Sequence, residues 1–199
     1  MIPDLPWEVH PDLTKDRLVH IGQLIAKGRH DAVLFQNEEI GDDTWVLGCR
    51  AFQATRHQIL TAAASEDFPW LEIIDSSKHL VFKIGAVPVR FYKGAPEEPT
   101  VRTLRQTYPE LSQLGLIFGD EREHLVYRFA VETDFDGTVA AIKFVGLLGE
   151  APAFCWDVPL TPAMPSIFPV SPPVEGVDLG APLVRISRDD QERGQSETG

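Results

Sequence analysis

Apolar side chains recur along this chain in two rhythms, and the rhythm changes near residue 68. Before it, Leu18, Ile21, Leu24 and Ile25 fall at helical spacing. Thr14 is placed to cap that segment and Asp16 stands in its first turn, so a helix is expected over 15–27 with Gly28 as its stop. Residues 31–36 suit a short strand or another helical turn equally. A polar, acidic loop over 37–43 leads to a second helix over 44–64, capped by Asp42 or Asp43. Its apolar face is read as Val46, Cys49, Phe52, Ile59, Leu60 and Ala63. Gly48 costs about 1 kcal/mol in a helix interior and would be there for close packing.

After residue 68 the period shortens to two. Residues 70–75, 79–84 and 87–92 read as strands, joined by a turn at 75–78 and by the hairpin pair Gly85-Ala86. Pro88 has no N–H to give a ladder, which places its strand at a sheet edge or marks a strand start. A loop follows over 94–99. Thr100 then caps a short helix over 101–108, and residues 111–118 are apolar without a deciding pattern. Within 123–133, Leu125, Tyr127, Phe129 and Val131 share one face. Asp134-x-Asp136-Gly137 is a turn, and 138–147 returns from it. A last strand over 153–158 lets Phe154, Cys155 and Trp156 close one side of the sheet.

These elements predict an α+β fold. Two N-terminal helices pack on a mostly antiparallel sheet of five or six strands with one inserted helix, followed by an extended Pro-rich C-terminal arm. The expected organisation is an extended lead-in over 1–13, a single domain over 14–158, the Pro-rich arm over 159–186 and a disordered tail over 187–199.

Composition adds little to this until charge is considered. The chain has 199 residues, 43% of them hydrophobic, which suits an ordinary globular protein. Its apolar runs are too short to cross a membrane, and its start does not resemble a secretory signal. The two cysteines, Cys49 and Cys155, are expected to be buried free thiols in a reducing compartment, so a cytoplasmic location is expected. Thirty Asp and Glu against 18 Lys and Arg give a net charge of −12. That excess disfavours direct nucleic-acid binding over the whole surface. Between residues 72 and 128, however, the charges nearly balance, which leaves room for a basic patch.

One such patch is Arg90, Lys93, Arg102 and Arg105, with Tyr92 and Tyr108 nearby. Arg102 and Arg105, three apart, are expected on one helix face, where forked guanidinium groups suit phosphate or carboxylate. The acidic cluster Glu38, Glu39, Asp42 and Asp43 is the candidate for binding a protein partner. A nuclease-like set of Glu72, Asp75, Lys83, Asp134 and Asp136 is weaker, because no acidic-x-Lys pair shares a strand and the two later aspartates suit a turn. His10, His20, His30, His57, His79 and His124 are scattered without metal-ligand spacing. Neither a nucleophile elbow nor a Gly-rich phosphate loop is present. These observations point to no catalytic residue, no metal and no cofactor. The expected function is a non-catalytic acidic binding or regulatory protein that acts through protein partners, as an antitoxin or inhibitor does. The alternatives are a metal-dependent nuclease or phosphodiesterase, and a sensor of a small anionic ligand.

Overall fold

The computed structural model describes residues 5–108, 110–112 and 125–160. Residues 1–4, 109 and 113–124, the Pro-rich arm from 161 on and the tail lie outside them. Helices pack on a six-stranded mixed sheet, an α+β arrangement.

Within the stretch read as an extended lead-in, α1 (Pro6–Val9) is one helical turn, with Pro6 at the first position, where its missing N–H costs nothing. Helix α2 (Lys15–Leu34) starts where Thr14 Oγ1 accepts from the Arg17 amide. It does not stop at Gly28, and residues 31–34 continue the helix. The reason lies in its partner, α3 (Thr44–Ala63). A Cβ on Gly28 would stand 2.5 Å from the Thr55 backbone nitrogen. Gly28 therefore marks the point where the two helices cross closest. Gly48 plays no such part, since a Cβ there would meet nothing within 4 Å. Asp43 caps α3 by accepting from the Val46 amide at 2.8 Å. The buried face of α3 is Leu47, Ala51, Thr55, Ile59 and Ala62, turned away from the expected one, with Cys49 left exposed. Cys155 is exposed too, so the expectation of buried thiols fails for both; both are free.

The sheet is β1 (Leu71–Asp75), β2 (Val81–Ile84), β3 (Val87–Lys93), β4 (Val126–Thr133), β5 (Val139–Leu148) and β6 (Ala151–Asp157), in that spatial order. Neighbours are antiparallel except β3 and β4, which run parallel. A parallel pair needs a crossover, and residues 94–125, including α4 (Val101–Leu104), supply it. Pro88 is at a strand start, not at a sheet edge: the β3–β4 ladder begins only at Val89 and Tyr127, so no partner waits for the missing N–H.

Alternation sorts the sheet into two faces. Phe82, Ile84, Val87, Val89, Tyr127, Phe129 and Phe144 meet Leu18, Ile21, Ile25 and Ile59 of the helices in one core. Each such side chain withdrawn from water contributes about 1.5–3 kcal/mol. At the far end of the β2–β3 hairpin, Asp12 closes the layer by accepting from the Ala86 amide at 2.9 Å and from Arg17 Nη1 at 2.9 Å. These bonds, led by that amide, hold the Asp12 carboxyl below its ordinary range. Gly85, at φ +61°, leaves the room that this carboxylate occupies. Among the described residues no helix is long and apolar enough to cross a membrane.

Candidate functional site

The second face of the sheet carries an unusual pair. Arg90 on β3 and Arg128 on β4 are register partners across the parallel ladder, so their side chains leave the sheet side by side. Both are buried. Packing two guanidinium groups together out of water requires a counter-ion, and Glu110, fully buried in the crossover, provides it. Arg128 Nη1 donates to Glu110 Oε1, and Arg90 Nη1 lies 4.0 Å from Oε2. Arg128 Nε donates to the Thr103 carbonyl at 3.1 Å, and Arg90 Nη1 to that of Arg105 at 2.9 Å. Among the described residues, one carboxylate thus serves two cations and leaves the cluster a net positive charge. Burial first, then Arg128 as a like charge, holds Arg90 below the ordinary guanidinium range; burial does the same to Arg128. Arginine stays protonated even so. Arg128 Nη2 is buried and has no hydrogen-bond partner.

Both arginines form part of the wall of a cleft of about 650 Å³, Arg90 slightly exposed to it and Arg128 behind it, within the range of ligand sites. Its position follows from strand lengths. Strand β2 begins only at Val81, after Leu80, which is buried, at φ +32°, and donates its amide to the Ser77 carbonyl in a turn. The β2–β3 ladder therefore ends at Phe82 and Val89, while β3 runs on to Lys93. Arg90 and Tyr92 project from one face of β3, Phe91 and Lys93 from the other, and all four line the cleft. The cleft accordingly lies along the strand's open edge. Helix α3 walls it on the core side with Trp45, Cys49 and Phe52, the last stacked on Phe91 at 5.6 Å. The start of α4 walls the other side with Thr100, Arg102 and Thr103, and Lys78 and His79 close one end. Among the described residues, six Lys and Arg line it (Arg29, Lys78, Arg90, Lys93, Arg102 and Arg128), and no described Asp or Glu does. Tyr92 donates from its hydroxyl to the Ala95 carbonyl at 3.2 Å, and burial pushes its pKa up to about 12.

Of the four residues read as an anion site, Arg90, Lys93 and Arg102 meet in this cleft. Arg105 does not. Helix α4 ends at Leu104, and Arg105 caps it in an extended conformation, off the helix face it was expected to share with Arg102. Sequence reasoning missed Arg128, Arg29 and Lys78, and it missed Glu110 as the counter-ion. A signal for Arg128 was present: alternation that turns Tyr127 and Phe129 inward puts Arg128 between Val126 and Ala130, an apolar setting for a cation.

The acidic cluster divides. Asp42 binds Arg50 at 2.8 Å, and Asp43 is the cap of α3. Glu38 and Glu39 stay exposed on a 3-10 turn (Glu38–Ile40). Around them Leu34, Phe35, Ile40 and Trp45 are exposed large apolar side chains.

The nuclease-like set is not brought together. Glu72 pairs with its cross-strand neighbour Lys83 at 2.6 Å, and Asp75 accepts from the Ser77 amide. Asp136 accepts from Thr138 in the β4–β5 turn. Three strand spacings of about 4.8 Å separate β1 from β4, roughly 14 Å in all. Among the described residues no three His, Cys, Asp or Glu side chains form a metal-binding group. Comparison with known proteins found no matching family model, curated protein or solved structure.

Proposed function

We propose that this chain is a non-catalytic binding or regulatory protein whose cleft captures an anionic group carried by its partner. The observation that supports this is the gathering, among the described residues, of six cations and no carboxylate on the lining of one cleft, in a chain of net charge −12. A buried guanidinium pair with one counter-ion between them is short of one negative charge, and a carboxylate or phosphate entering the cleft supplies it. The test is titration of the full chain with three probes: inorganic phosphate, ATP and an octaglutamate peptide. Affinity is read by calorimetry and nucleotide hydrolysis is followed in parallel. At least one probe should bind saturably, and the double variant Lys93→Ala/Arg102→Ala, altered only at exposed side chains, should bind it at least tenfold more weakly. Binding that ignores the double variant, or turnover of ATP, would count against the proposal.

A second surface favours a protein partner. Exposed Leu34, Phe35, Ile40 and Trp45 sit with Glu38 and Glu39 at the α2–α3 connection, and Trp45 also lines the cleft. A group of apolar side chains edged by acids suits an apolar partner surface edged by Lys or Arg.

A further inference from the structure

The open edge of β3 says more about the ligand than charge does. The Gly94 amide donates to the Val131 carbonyl on the β4 side at 3.0 Å. Backbone groups alternate in direction along a strand, so the N–H and C=O groups of Phe91 and Lys93 point the opposite way, into the cleft. Among the described residues no strand pairs with them there, because the β2 ladder stops at Val89. An unpaired strand edge is a template for another extended chain. Here it shares a cleft with residues of α3 and α4.

Resting on the reading of the cleft as an anion site, we infer that its occupant is an extended acidic segment of a partner protein, which adds to the sheet as a strand beside β3. Its backbone pairs with Phe91 and Lys93. Side chains on one face of the added strand meet Arg90 and Arg102, and those on the other meet Lys93 and the Phe52–Phe91 pair. Charge complementarity selects the occupant: carboxylates fit both faces, whereas a basic strand would meet cations on each. A free phosphate would satisfy the guanidinium groups and leave the edge unpaired.

The experiment uses the full chain and a fluorescein-labelled (Glu-Val)4 peptide, read by anisotropy. Controls are the same peptide with every backbone nitrogen methylated, which keeps its charge and removes its strand donors, and inorganic phosphate. Amide hydrogen exchange at Phe91 and Lys93 is followed with and without peptide. The expected result is saturable binding of the unmethylated peptide, at least tenfold weaker binding of the methylated one, and at least tenfold slower exchange at both amides on binding. Equal affinity of the two peptides, or binding of phosphate alone, overturns strand addition and leaves anion capture standing. Failure of both peptides and of phosphate overturns both. Phe91 and Lys93 amides already protected in the free chain also overturn the inference, since the edge would then be occupied by this chain or by a second copy, which dilution separates.

Discussion

Among the described residues Glu110 is the carboxylate set between the two buried arginines, and Glu110→Gln removes its charge while keeping its shape. The cost can be worked from the geometry. Glu110 and Arg128 are each about 1% exposed, and Arg90 lies 4.0 Å away. A pair at 4 Å interacts by about 4 kcal/mol at an effective dielectric constant near 20. Removing one partner of a buried pair costs about 3–5 kcal/mol, and the amide oxygen, still an acceptor for Arg128, returns about 1 kcal/mol. A net loss of about 3 kcal/mol should lower the melting temperature by about 6–12 °C for a chain of this size. Circular-dichroism melting and urea titration with an unchanged m-value measure it. Glu110→Gln combined with Arg128→Met should be less damaged than the single variant, because the orphaned charge has gone. Affinity should move the other way: with Glu110 neutral, the cleft gains a unit of positive charge and the folded protein binds the octaglutamate probe more tightly. A melting point within about 1 °C of the parent, or weaker binding by the folded single variant, would refute the view that Glu110 is the counter-ion of this pair.

Gly28→Ala should destabilise by about 2 kcal/mol or more, because its Cβ would meet the Thr55 backbone and α2 and α3 would have to separate; denaturant titration checks it. His20, tilted on Phe68 with ring centroids 4.1 Å apart and with Nε2 lacking a partner, is held below its ordinary pKa by burial. The neutral ring is the form the fold accepts, so stability is full above about pH 6.5 and falls as pH drops below it, by at most about 1.4 kcal/mol per pH unit. His20→Phe should flatten that slope. The depressed Asp12 contributes in a lower window, with stability present above about pH 3.8 and lost below it. Phe35→Ser with Ile40→Ser, at positions 73% and 76% exposed, should change stability by less than about 0.5 kcal/mol each. Any loss of partner binding by that double variant is then a loss of surface.

Strands were easier to read than helices. Alternation in β4 and β5 survives because one face of each is core. In the helices two glycines carried opposite meanings that spacing alone does not reveal. Gly28 sits where α3 comes closest, and Gly48 faces open space. That fact belongs to the helix crossing and is not written locally. The parallel β3–β4 pair was equally hidden, because residues 94–125 separate the two strands and α4, within that stretch, is only four residues long. For the site, Arg90, Lys93 and Arg102 were found because they are close in sequence. Arg128 and Arg29 reach the same cleft from other elements, and register alone brings Arg128 beside Arg90. Arg105 failed for a local reason: the helix ends one residue too soon.

Under the proposed anion capture, the opposition between total charge and cleft charge would act as a selectivity device. Among the described residues, 8 Lys and Arg outside the cleft stand with 20 Asp and Glu. A long polyanion approaching the protein meets that excess over its whole length, whereas a short anionic segment inside the cleft lies within about one Debye length, roughly 8 Å at physiological salt, of cations on every wall. Length should therefore work against binding. A 20-nucleotide single strand should bind no more tightly than a dinucleotide at 50 mM salt, and raising the salt should not weaken it along the steep slope of a protein that tracks a phosphate backbone. A strand that binds tenfold better than the dinucleotide, with affinity collapsing between 50 and 200 mM salt, would mean that the cationic surface extends well beyond the edge of β3 and that the acidic total does not screen it.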